Sequence, residues 1–255
     1  MIHPDSIRAD LSNAALYGSG VFTTVAIIRG KPFLWEKHWR RLAANALSIG
    51  LDTSDFDEPF VSGALREVIE KNQVVSGRAR ITFFDGSESV LWSEKDERKC
   101  GISIITGEPR KKPEVLRLTA SPYRLNSASP LAGVKSCNYL ENILALNEAR
   151  RRGYHEAIRL NQREEIAGGC MSNVFWLRGG VLHTPNLATG CLSGTTREFV
   201  MEKLACIETA ATVDSLRQAD AIYLTSAGFG ITQVSVFEER RFDAGSQAIE
   251  AIWPR

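Results

Sequence analysis

No stretch of this chain approaches the roughly 18 to 20 consecutive apolar residues that a membrane-crossing helix requires, so no such span is expected. The opening residues, Met1-Ile2-His3-Pro4-Asp5, lack the basic-then-apolar order of a secretory leader, and a cytoplasmic location is the expectation. Charge of one sign is equally scarce. With 31 basic against 30 acidic residues the formal net charge is +1, and nothing in that balance points to nucleic acid. The five cysteines (Cys100, Cys137, Cys170, Cys191, Cys206) are scattered and form no CxxC pair, which argues against a disulfide framework and against zinc. They are expected to be reduced thiols used as small apolar residues. The four histidines (His3, His38, His155, His183) show no metal-ligand spacing, and no metal is expected. Gly18-Ser19-Gly20 is not continued into GxGxxG, so a dinucleotide site is not expected either.

What the chain does contain is 255 residues at 44% hydrophobic content, enough for one large domain or two modest ones. Val21 to Ile28 is β-branched and aromatic and reads as a strand ending at Arg29-Gly30-Lys31-Pro32. Trp35 to Leu51 has helical spacing through Trp35, Leu42, Ala46 and Ile49, and a second helix is expected over Phe60 to Lys71. Strands are predicted at Ala79 to Phe84, Gly101 to Thr106 and Val115 to Thr119. Between Pro109 and Pro130 the composition turns to Pro, Lys, Arg, Ser and Asn, which predicts an interdomain connection and a division into residues 1–118 and 119–255. Further on, a helix over Asn138 to Arg152 should close at Gly153. Strands are predicted at Glu156 to Leu160, Val174 to Leu177, Val181 to Thr184 and Ala221 to Thr225, with a helix from Gly194 to about Cys206. The whole reads as an α+β or α/β protein of two packed lobes.

Two features carry chemistry. Lys135 stands in Leu131-Ala132-Gly133-Val134-Lys135-Ser136-Cys137, a small-residue turn before an apolar helix-forming segment. A lysine becomes nucleophilic where a dry site lowers its proton affinity, although most lysines are solvated surface groups. Ser193-Gly194-Thr195-Thr196 opens a helix, where free amides, the positive dipole end and hydroxyls converge on anions. The same residue types serve as ordinary helix caps. Arg41 is a second candidate anion partner, or an exposed helix arginine. The turn Ser226-Ala227-Gly228-Phe229-Gly230 after the strand ending at Thr225 offers further amides to the same anion.

In order along the chain, Tyr17-Gly18-Ser19-Gly20-Val21-Phe22-Thr23-Thr24, His38-Trp39-Arg40-Arg41-Leu42, Lys135, Met171-Ser172-Asn173-Val174-Phe175 and Leu192-Ser193-Gly194-Thr195-Thr196-Arg197 resemble the class IV (fold type IV) pyridoxal-phosphate enzymes. That family includes aminodeoxychorismate lyase and the branched-chain and D-amino-acid aminotransferases, and the resemblance runs from about Asp10 to Val236. It implies a two-lobed fold with a smaller N-terminal and a larger C-terminal domain, pyridoxal 5'-phosphate as cofactor, an amino-acid substrate and a homodimer. By the same resemblance Lys135 is the Schiff-base lysine that also moves the substrate α-proton. Arg41, Gly194, Thr195 and Thr196 hold the phosphate, Tyr139 lies against the cofactor ring, and Asn173, Ser226 and Ala227 belong to the cofactor site. Activity is expected to be most like that of 4-amino-4-deoxychorismate lyase. The alternatives are a class IV aminotransferase, and a homologue that binds cofactor or another phosphorylated ligand without the parent activity.

The chain departs from the family pattern in places. The glutamate that bonds the pyridine nitrogen, five residues before the asparagine of the Ser-Asn pair, is Gly168 here. Glu164 and Glu165 are near in sequence but lie before the strand expected at Ile166. Ala26 and Asp85 stand where arginines are common, which removes or reverses two groups able to meet substrate carboxylates. Phe22-Thr23-Thr24 and Leu224-Thr225-Ser226-Ala227 are closer to the lyase branch. An elimination also tolerates a weaker electron sink, since its leaving group accepts the electrons.

Overall fold

The computed structural model describes residues 12–87, 99–243 and 248–254; His3 and the Met1–Asp5 segment lie outside them. A short helix α1 (Asn13–Tyr17) leads into β1 (Gly20–Ile28), which turns back through β2 (Lys31–Pro32) into helices α2 (Trp35–Ser48) and α3 (Glu58–Lys71). Strands β3 (Ser76–Asp85) and β4 (Cys100–Gly107) complete an antiparallel sheet of order β2-β1-β3-β4. Each helix follows from its sequence. Asp57 accepts a hydrogen bond from Phe60 N–H at 2.9 Å to cap α3, Pro59 sits in its first turn, and Val61, Leu65 and Ile69 recur every four residues to form its buried stripe. On α2 the buried stripe is His38, Leu42 and Ala46.

Strand alternation sorts the first sheet into two faces. Val21, Val25 and Ile27 of β1 join Ala79, Ile81 and Phe83 of β3 in the core beneath α2 and α3. The intervening residues face the other way: Phe22 pairs with Thr82, Thr24 with Arg80, and Ala26 with Arg78.

The rest of the chain builds two more five-stranded sheets. Its elements are β5 (Arg117–Leu125), α4 (Leu140–Arg151), β6 (Glu156–Asn161), β7 (Ile166–Gly169), β8 (Asn173–Arg178), β9 (Val181–Pro185), α5 (Thr195–Lys203) and β10 (Cys206–Thr209). After these come α6 (Asp214–Arg217), β11 (Ala221–Ser226), β12 (Gly230–Gln233), β13 (Val236–Phe237), β14 (Arg240–Arg241) and α7 (Ala248–Ala251). The orders are β10-β9-β8-β11-β12 and β14-β13-β5-β6-β7. Their facing sides enclose a core of Leu118, Ile158, Ile166, Trp176, Ile222 and Leu224.

Three expectations change. The segment with linker composition contains a nine-residue strand, β5; its Pro122 is tolerated because the pairing with β6 shifts register between Ala120 and Arg124. The helix opening at Thr195 stops at Lys203, and Cys206–Thr209 pairs in parallel with β9. Helix α4 begins at Leu140, two residues later than its composition suggests, and closes at Gly153 with φ +84°. Lys135 therefore precedes the helix by a full turn and is held by something else.

Candidate active site

What holds Lys135 is the first sheet. Its carbonyl accepts from Phe22 N–H at 2.9 Å, its own N–H donates to Asn45 Oδ1 at 2.9 Å, and Cys137 N–H donates to the Gly20 carbonyl at 2.8 Å. A bridge between Val21 and Ser136 completes a short added strand. The side chain enters a cavity of about 1140 Å³ at the meeting of the sheets. Its nitrogen lies 4.5 Å from the Phe22 ring centre and 4.8 Å from that of Tyr139, and donates to the Tyr139 hydroxyl at 3.2 Å. The two rings meet edge to face at 5.2 Å. Burial, reinforced by the charges of Arg41 and Arg80, lowers the Lys135 pKa to about 7. Burial, with Glu156 nearby, raises the Tyr139 phenol to about 12.

The helix start at Ser193-Gly194-Thr195-Thr196 lines the same cavity, together with Arg41, Asn173, Thr225, Ser226 and Ala227. It is not an ordinary cap: Gly194 occupies the cap position and no side chain bonds the first-turn amides. Helix α2 approaches α5 through Lys37, which donates to Glu198 at 2.8 Å, and Arg40, which pairs with the same carboxylate. Arg41 then donates to the Ser193 carbonyl at 3.3 Å and to Thr23 Oγ1 at 2.8 Å, and desolvation brings its pKa down to about 10. Its Nε, the Thr196 hydroxyl and the Thr225 hydroxyl are buried without a partner. Unpaired buried polar atoms are costly, and their gathering with the free amides of a helix start fits a bound phosphate.

His38 ties these groups together. Thr23 Oγ1 lies 2.7 Å from its Nδ1, and Thr195 Oγ1 lies 3.1 Å from its Nε2. The neutral imidazole thus joins the two threonines, one ring nitrogen donating and the other accepting. Burial first, then Arg41 and Lys135, holds the ring neutral by lowering its pKa well below the ordinary value. Asn173 performs a similar service for the backbone. Its amide donates to the Leu192 carbonyl at 2.8 Å, and its Oδ1 sits where a Cβ on Gly194 would fall, only 1.8 Å away. Any side chain at 194 would have to displace the Asn173 amide.

All nine residues expected at the site, Lys135, Arg41, Tyr139, Asn173, Gly194, Thr195, Thr196, Ser226 and Ala227, line this one cavity. The sequence reading missed its charge. Among the described residues six arginines (Arg41, Arg78, Arg80, Arg110, Arg150, Arg159) and Lys135 line it against one carboxylate, Glu141. A chain close to neutral overall thus has a strongly cationic cleft. The arginine absent at position 26 has its counterpart directly across the strand pair, at Arg78. Asp85 puts no negative charge in the cavity: it is buried elsewhere, accepting from Asn13 Nδ2 and Ser87 N–H at 3.0 Å each. Glu164 and Glu165 turn away as well, onto Arg124 and Arg163. The signal for Arg78 and Arg80 was present, since they alternate with Ala79 and Ile81 in a strand.

Residues 20–237 match the family model for amino-transferase class IV. The chain is 28% identical to the aminodeoxychorismate lyase of Bacillus subtilis (strain 168), covering 98% of this chain and 88% of that protein. It is 27% identical to the D-alanine aminotransferase of Bacillus licheniformis, over 90% and 83% of the two chains. Among solved structures, the branched-chain aminotransferase of the archaeon Thermoproteus uzoniensis, crystallised with norvaline, superposes with a TM-score of 0.88 at 27% identity, over 98% of this chain and 89% of that one. With the match extending across the lysine turn, the phosphate-type helix start and all three sheets, the chain belongs to the class IV aminotransferases, a family of fold type IV enzymes that use pyridoxal 5'-phosphate.

Proposed function

We propose that this enzyme cleaves an anionic amino compound, and that its activity is most like that of 4-amino-4-deoxychorismate lyase. The observation that carries this reading is the placement of Arg78 and Arg80 on the wall of the cavity that Lys135 enters. Two guanidinium groups there suit a substrate bearing more than one carboxylate, each charge-assisted hydrogen bond contributing about 1.5 to 3 kcal/mol.

In this reading Arg41, the first-turn amides of α5 and the Thr196 hydroxyl hold the phosphate, with Thr195 oriented by His38 and the Ser226-Ala227 turn closing the far side. Asn173 keeps Gly194 and its loop in place. When bound, pyridoxal 5'-phosphate supplies an aldehyde that condenses with amines and a conjugated ring that accepts electrons as a neighbouring bond breaks. Lys135, with a pKa near 7, is about half free amine at neutral pH, so it takes up and returns the proton at the substrate carbon bearing nitrogen. Tyr139 stays protonated through neutral pH and accepts the hydrogen bond from Lys135, which fixes the direction of the amine. The rings of Phe22 and Tyr139 keep water from it.

A second copy of the chain belongs in the same reading. Leu140, Ile143 and Leu144 of α4 are 64%, 42% and 47% exposed, and the first two line the cavity. An apolar stripe at the mouth of a charged site supports a homodimer whose partner covers it. Five unpaired thiols support a reducing, cytoplasmic setting.

Incubation with pyridoxal 5'-phosphate should give visible absorption that borohydride abolishes and that Lys135→Ala lacks; a protein that stays colourless overturns the cofactor assignment. With 4-amino-4-deoxychorismate the expected products are an aromatic amine and a 2-oxo acid in equal amounts. Transfer of the amino group of D-alanine or a branched-chain amino acid to 2-oxoglutarate, without such cleavage, would replace the lyase reading with a transaminase.

A further inference from the structure

The wall formed by β6 and β7 is bare at one position and charged at its partner. Gly168 has φ +144°, a conformation L side chains rarely adopt, and a Cβ on it would lie 3.2 Å from the Ser172 carbonyl oxygen. No carboxylate can be supplied from position 168. Directly opposite in the antiparallel register stands Arg159, and residues so paired share a face of the sheet. Arg159 is 2% exposed and lines the cavity.

Its surroundings leave that charge largely unanswered. The guanidinium donates from Nη1 to Asn142 Oδ1 at 2.8 Å and from Nε to the Tyr123 carbonyl at 3.3 Å. Among the described residues its one acidic partner is Glu141, which accepts from Nη2 at a long 3.5 Å and is itself 80% exposed. Glu156 lies on the same strand at a position of opposite parity, and its carboxylate accepts from the N–H groups of Ala157, Cys170 and Met171 at 3.1, 3.0 and 3.3 Å. A buried guanidinium with donors to spare, whose carboxylate partner is a long contact to an exposed side chain, is arranged to meet an acceptor arriving from the cavity.

We infer that Arg159 faces the pyridine nitrogen of the cofactor and donates a hydrogen bond to it, so that this nitrogen stays unprotonated. The inference rests on the proposed cofactor site. In pyridoxal 5'-phosphate the ring nitrogen stands across the ring from the aldehyde-bearing carbon. With the aldehyde at Lys135 and the phosphate between α2 and α5, the wall left for the nitrogen is the one carrying Gly168 and Arg159. A guanidinium offers no lone pair and keeps its charge, so the nitrogen bonded to it must be the acceptor. A fixed cation beside it also opposes protonation. The ring then withdraws electrons less strongly, which disfavours long retention of charge on it and suits reactions in which a leaving group carries the electrons away.

The test is nitrogen-15 NMR of the protein loaded with cofactor labelled at the ring nitrogen. The parent should show an unprotonated pyridine resonance at neutral pH, and Arg159→Glu, which places a carboxylate on the same wall, should shift it upfield to the pyridinium position. Arg159→Lys keeps the cation and should keep the unprotonated signal, which separates the charge from damage to the fold. A cofactor analogue methylated on the ring nitrogen, unable to accept, should bind the parent about ten- to a hundredfold more weakly than the natural cofactor and regain affinity in Arg159→Glu. A pyridinium signal in the parent, or a signal unmoved in Arg159→Glu, overturns the inference while leaving the cofactor site standing. Failure of the parent to bind the labelled cofactor overturns both.

Discussion

Lys135 is held in a form that the fold itself disfavours when protonated, and replacing it by methionine should therefore stabilise the apoprotein at neutral pH. Its pKa falls from 10.5 to about 7 on folding, and each unit corresponds to about 1.36 kcal/mol. The unfolded chain binds this proton more tightly than the folded chain. The contribution of Lys135 to stability is thus least unfavourable above about 10.5, worsens as pH falls, and is at its worst below about 7. Integration gives a penalty of about 4 kcal/mol at pH 7 and about 2 kcal/mol at pH 9. The cavity is open to water on one side, which reduces both figures by roughly half. The contacts of the ammonium with Phe22 and Tyr139 return about 1 kcal/mol of attraction that methionine loses in part. Lys135→Met should therefore gain about 1 to 2 kcal/mol at pH 7, and that gain should shrink by about 1 kcal/mol at pH 9. Urea denaturation of both apoproteins at the two pH values measures this, since every other titrating group is common to the pair. A gain that does not change with pH, or a variant less stable than the parent at pH 7, refutes the reasoning.

Thr23→Val removes the hydroxyl that joins Arg41 to His38, leaving two buried polar groups short of a partner; a loss of about 1 to 3 kcal/mol is expected by chemical denaturation, together with weaker cofactor binding. Arg41→Leu should weaken pyridoxal 5'-phosphate by about a hundredfold in a fluorescence titration while affecting unphosphorylated pyridoxal much less, because the phosphate is the part of the cofactor that Arg41 holds in this reading. Arg78→Gln with Arg80→Gln should raise KM for a dicarboxylate substrate by about tenfold or more without altering the cofactor spectrum; an unchanged KM would remove the basis for the anionic substrate.

The fold was legible wherever one periodicity dominated. Val21 to Ile28 and Phe60 to Lys71 each became the expected element to within two residues at either end. The segment after Pro109 misled in its second half, where Arg117–Leu125 is a strand whose register shift tolerates proline. At the site, ordered motifs located the lysine and the phosphate groups, whose chemistry depends on residue type. Arg78, Arg159 and His38 escaped because their roles depend on register. Arg78 matters through the strand pair that sets it opposite Ala26, and Arg159 through the pairing that sets it opposite Gly168. His38 shares the buried stripe of Leu42 and Ala46, and that four-residue interval was the available sign that it points inward.

The attachment of the lysine turn to Gly20, Phe22 and Asn45 makes the amine reactive only in an assembled chain. In an unfolded molecule the same lysine returns to its ordinary proton affinity and is almost wholly ammonium at pH 7. Docking of the turn onto β1 raises the free-amine fraction by about a thousandfold. Nucleophilicity thereby becomes a report that the lysine turn has docked on the first sheet.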